Sequence, residues 1–122
     1  MEFFQEVPNS KLDIAELKNL LTINSLTMLC DSISEVSSNS HNEADIYCLW
    51  GSFTLRRDEI KTGVRFSLLD CPHSLAWTVT LNDKHVVIHC TIDKKEEDPD
   101  FIESINEFVT DWSNGISRVL TL

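Results

Sequence analysis

The chain has 122 residues, a formal net charge of −10, four cysteines and three glycines. That length gives a single domain that buries roughly two thirds of the surface its unfolded form exposes, without a staple. The acidity argues against nucleic acid, whose binding draws on clustered cations, and no apolar run approaches the ~20 residues needed to cross a bilayer. Neither is an expected partner.

Met-Glu-Phe-Phe-Gln-Glu at the N-terminus lacks the basic start and small-residue cleavage site of a secretory signal. A cytoplasmic address follows as the expectation, with Cys30, Cys48, Cys71 and Cys90 as reduced thiols among apolar neighbours. Ser10 and Asp13 then read as a helix start, and Ile14, Leu17, Leu20 and Leu21 recur at helical spacing. Thr22 to Ser25 interrupts the pattern, after which Leu26, Leu29, Cys30, Ile33 and Val36 resume it. The spacing predicts helices over 11–36, with a strand from Leu26 to Cys30 as the competing assignment. Residues 37–43, rich in Ser and Asn, predict a mobile loop.

Alternation predicts a sheet over 45–92. Tyr47, Leu49, Phe53 and Leu55 mark one face of a first strand, and Gly51, where the pattern changes, marks a bulge or a close backbone approach. Val64, Phe66 and Leu68 mark a second strand. From Leu75 to Cys90 two apolar runs flank Asn82-Asp83, a pair that accepts the positive φ angles of a hairpin turn. A turn at these residues sets Trp77 opposite Ile88 in the core, with His85 and His89 on the other face. Asp98-Pro99 is a strong helix start, and Phe101, Ile105, Phe108, Trp112, Ile116 and Val119 form one stripe. They predict a C-terminal helix over 99–118 that runs through Gly115. The predicted fold class is α+β: a two-layer sandwich of a four-stranded antiparallel meander with N-terminal helices and a long C-terminal helix.

No phosphate-binding glycine loop, paired-cysteine zinc motif or nucleophile elbow occurs. Pairing the first two strands so that Phe53 opposes Phe66 sets Cys48 opposite Cys71, and the hairpin then draws His73, His89 and Cys90 toward the same end of the sheet. Cys48, Cys71, His73 and His89 are the candidate zinc ligands, and Cys71 activated by His73 is the candidate catalytic thiol. Since neighbouring strand residues point to opposite faces, the simpler reading makes the inward cysteines small hydrophobes, and no metal or cofactor is expected.

Charge is unevenly spread: residues 1–45 and 93–111 carry −6 each, whereas 56–65 carries +2. Arg56, Arg57, Lys61 and Arg65 are candidates to contact an anion or a partner, or else they pair with Asp58 and Glu59. Ile46, Cys48 and Trp50 are expected on the face away from the C-terminal helix. Ile46 and Trp50 are therefore interface candidates, unless the N-terminal helices cover them. In size, acidity and element types the chain loosely resembles secretion chaperones and bacterial immunity proteins, although no motif is specific to either. The expected function is a non-enzymatic cytosolic protein-interaction or adaptor protein, with a protein partner and homodimerisation as an option. The alternative is a small thiol-dependent enzyme or zinc-binding protein centred on Cys71 and His73.

Overall fold

The computed structural model describes residues 1–93 and 98–121. Its sheet has seven antiparallel strands in the order β1-β7-β6-β5-β4-β3-β2. These are β1 (Glu2–Pro8), β2 (Ile33–Ser38), β3 (Glu43–Cys48), β4 (Gly51–Ile60), β5 (Gly63–Leu68), β6 (Ala76–Asn82) and β7 (His85–Thr91). Helices α1 (Ile14–Leu20), α2 (Leu26–Leu29) and α3 (Pro99–Leu120) complete the α+β fold. Strand alternation places Val7, Ile46, Leu55, Phe66, Trp77, Val79, Ile88 and Cys90 on a buried inner face. Gln5 of β1 reaches α3 through Nε2, which donates to Thr110 Oγ1 at 2.6 Å. Trp77 packs against Phe66 and Phe108, with ring centroids 5.4 and 4.8 Å apart, and Trp112 lies 5.7 Å from Phe66. Among the described residues no helix is long and apolar enough to cross a membrane.

The sheet is larger than the expected four-stranded meander, for three reasons. Residues 2–8 form an edge strand against β7. The predicted helical segment 11–36 holds the short α1 and α2, joined by a single 3-10 turn at Ile23–Ser25, and ends in β2. Ile33 and Val36 look helical because they are three residues apart, yet the register of β2 shifts between Ile33 and Glu35. That bulge brings both onto the inner face opposite Cys48 and Ile46. Finally, the predicted strand running through Gly51 is a hairpin, with Cys48 paired to Gly51 around Leu49-Trp50. Two apolar residues at the turn hide it from periodicity. Gly51 ends it at φ +110°, a conformation L side chains rarely adopt. The predicted loop 37–43 shrinks accordingly, because Ser37 and Ser38 belong to β2 and Glu43 to β3.

Two registers differ from expectation without moving any side chain to the other face. The last hairpin turns at Asp83-Lys84, with Asp83 at φ +55°, so Trp77 opposes Cys90 and Ile88 opposes Val79. In β4 and β5, Leu55 opposes Leu68 and Arg57 opposes Phe66, which separates Phe53 from Phe66. Side chains alternate with a period of two, so a slip by an even number preserves the hydrophobic pattern. Turn geometry and packing decide between such registers.

Candidate functional site

At the end of the sheet where β4 begins and β5 ends, a crevice of about 260 Å³ opens between the strands and the start of α3. Trp50, Phe53, Cys71, Pro72, His73, Leu75 and Phe101 line it. Each wall has a local cause. The β3-β4 turn presents Trp50, and the inward parity of β4 presents Phe53. The β5-β6 connection carries Cys71 to Leu75 and is fixed by its backbone: Ser74 N–H donates to the Cys71 carbonyl at 3.1 Å, with Ser74 at φ +50°. The His73 carbonyl accepts from Asp93 N–H at 3.1 Å. Asp98 caps α3, accepting from Asp100 N–H at 2.8 Å, and so sets Phe101 in the first turn. There its ring meets His73, with centroids 4.6 Å apart.

Trp50 is half-buried, and its indole Nε1 donates to Ser104 Oγ of α3 at 2.8 Å. Its ring packs on Phe108 and Phe101, at 4.9 and 6.0 Å. Ile46 and Cys48 are buried on the same inner side. The expectation that Ile46 and Trp50 face away from the C-terminal helix is thus corrected: the turn after Cys48 folds Trp50 onto α3.

The thiols gather in part. Burial holds the Cys90 thiol up at about 12, with Cys71 close enough to add to the effect. Cys48 is raised for the same two reasons, against backbone contacts at Trp50 and Gly51 that lower it. Both side chains remain protonated, which suits them as core hydrophobes rather than nucleophiles. Cys71 and His73 share the crevice wall. His89 does not join them, because it lies on the outer face, where Nε2 meets Glu2 Oε1 at 3.0 Å and the ring stacks on Phe4 at 4.1 Å. Among the described residues, no three His, Cys, Asp or Glu side chains are placed to hold a metal ion.

The basic cluster divides by strand parity. Arg57 points inward and is 8% exposed. Its Nε donates to the Leu21 carbonyl at 2.6 Å and its Nη2 to the Lys18 carbonyl at 2.9 Å, with Glu59 at 3.3 Å. It therefore closes the C-terminal end of α1, where unpaired carbonyls and the helix dipole favour a cation. Arg56 points outward and pairs with Asp58 at 3.2 Å. Arg65 lies opposite Asp58 on that outer face, and Lys61 sits in the β4-β5 turn. The four residues do not form one anion site.

Phe53, Pro72, Leu75 and Phe101 of the crevice wall, and Ser104 beside it, are residues that sequence reasoning did not single out as site residues. The visible signal was the apolar, inward parity of Phe53; Ser104 carried none, since its role depends on a turn folding across to α3. A wider groove of about 570 Å³ runs beside Asn24, Thr27, Glu35, Asp45 and Tyr47. It is larger but more open, and polar residues make up most of its lining, so the crevice offers the better-defined apolar walls.

No protein-family model matches the sequence, and comparison with curated proteins finds no relative. Among solved structures, the chain resembles a START superfamily protein from Mycobacterium smegmatis, with a TM-score of 0.66 over 99% of this chain and 96% of that one. At 8% identity the likeness is one of fold.

Proposed function

We propose that this chain is a non-enzymatic binding protein that takes a small, uncharged and mainly apolar ligand in the crevice between the sheet and the start of α3. One observation carries the reading: Trp50, Phe53, Pro72, Leu75 and Phe101 converge on about 260 Å³, with only Cys71 and His73 adding a thiol and a polar ring. A dry apolar cavity of about 150 Å³ accepts benzene, so a molecule of one or two rings suits this one. Burying roughly 200 Å² of such a ligand, at about 25 to 50 cal/mol per Å², yields about 5 to 10 kcal/mol before ordering costs. Affinities between about 10 μM and 1 mM follow. The net charge of −10 disfavours an anionic ligand.

Titration of 2-naphthol into isotope-labelled protein tests this. Saturable shifts confined to the Trp50 indole and to the amides of Cys71, His73 and Phe101 are expected, and Trp50→Ala should remove them. The absence of saturation up to about 1 mM, or shifts spread evenly over the surface, rejects the reading.

The protein-partner role expected from the sequence has one supporting observation of its own. Phe4 and Tyr47, 58% and 52% exposed, stand on the outer sheet face near its two edges. Sedimentation of the wild type and of the Phe4→Ser, Tyr47→Ser variant tests it: a monomer at all concentrations rejects homodimerisation.

A further inference from the structure

We infer that Ser104 is a specificity-determining positioning residue for the crevice, acting through Trp50. The inference rests on the ligand-binding reading above and deepens it. Trp50 forms one wall of the crevice and stands on a two-residue turn between Cys48 and Gly51. Its polar anchor across to the helix layer is the Ser104 hydroxyl, 2.8 Å from Nε1. That hydroxyl is itself oriented, because Ser104 Oγ donates to the Phe101 carbonyl at 2.5 Å and so turns its lone pairs outward from the helix. Ser104 thereby joins two walls of the crevice: Phe101, whose carbonyl it holds, and Trp50, whose indole it receives. The remaining contacts of Trp50, with Phe101 and Phe108, are ring contacts at 6.0 and 4.9 Å that tolerate rotation. Removing the hydroxyl releases the ring's orientation while leaving the crevice's chemistry in place.

The consequence is one of selectivity. A probe of two fused rings must lean on the Trp50 wall, whereas a single ring can sit against Phe53, Leu75 and Phe101. The test compares dissociation constants of 2-naphthol and phenol for wild type, Ser104→Ala, Ser104→Thr and Trp50→Phe, with the Trp50 indole N–H resonance recorded in parallel. Alanine is a good helix former, so Ser104→Ala is expected to fold, and Trp50→Phe removes the donor from the other side while keeping an aromatic wall. Both variants should lower the preference for 2-naphthol over phenol by about fivefold or more. Ser104→Thr, which retains the hydroxyl, should restore it. In Ser104→Ala the indole resonance should move and exchange faster with solvent. An unchanged preference in Ser104→Ala and Trp50→Phe, with the wild type binding both probes, overturns the role of Ser104 and leaves the crevice reading standing. A wild type that binds neither probe overturns both.

Discussion

The two ends of helix α3 meet the rest of the molecule in opposite ways. Toward its C-terminal end, Gly115 packs so closely on α2 that a Cβ there would collide with the Leu29 carbonyl oxygen. Nearby, Ser32 Oγ donates to the Asp111 carboxylate, and Arg118 Nη2 donates to the Met28 carbonyl at 3.2 Å. Toward its N-terminal end the helix stands off from the sheet, leaving the crevice bounded by rings and one indole hydrogen bond. The same contrast runs along β4, where Phe53 lines the crevice and Arg57 seals α1. Backbone contact at Gly115 and the hydrogen bonds of Ser32 with Asp111 and of Arg118 with Met28 close one end. Apolar walls that touch through their rings but enclose a crevice between them leave the other end a place for a ligand.

The closed end should respond to substitution with the largest losses of stability. Gly115→Ala gains about 1 kcal/mol of helix propensity, but forcing α2 and α3 apart should outweigh it, for a net loss of about 3 kcal/mol. Urea denaturation measures this, and a stabilised variant would show that the close approach is not required. Arg57→Met keeps the buried stem and removes the donors to Leu21 and Lys18, with an expected loss of about 2 kcal/mol. Arg57→Lys should recover little of it, since a point charge cannot replace two donors held in one plane.

Alkaline pH probes the buried thiols shared by the two ends. The thiols of Cys30 and Cys90 are pushed up from the ordinary cysteine value of 9.0, which applies in the unfolded chain, to about 12 in the fold, chiefly by burial. Below 9.0 both folded and unfolded chains keep these protons, and the contribution to stability is complete. Between 9.0 and about 12 the unfolded chain releases them while the folded chain holds them, so stability falls as pH rises. Thermal melts should show a loss of about 1 kcal/mol per thiol by about pH 10, reduced in Cys90→Ala relative to its own value at neutral pH. The smallest effect belongs to the outer face. Arg56→Ala should change stability by less than about 0.5 kcal/mol, because its pair with Asp58 is exposed to solvent. A loss as large as that of Arg57→Met would break the distinction between the two neighbours.

The sequence by itself determined which residues of β5 to β7, and of β4 as far as Leu55, face inward, because burial of one sheet face imposes an alternation that survives any even slip in register. It likewise determined the long amphipathic α3, through Asp98-Pro99 and the stripe from Phe101 to Val119, even across Gly115. Only the tertiary structure decided the rest. The bulge in β2 let Ile33 and Val36 imitate a helix, and the turn at Leu49-Trp50 carried apolar residues where turns usually carry polar ones. That turn folds Trp50 back onto Ser104, 54 positions away in the chain, and so creates the crevice wall. Arg56 and Arg57 are adjacent in sequence but lie on opposite faces, one in solvent and one beneath α1. Local patterning records which face is buried. It does not record which distant element covers that face, or how closely, and those contacts determine where the fold is sealed and where it stays open to a ligand.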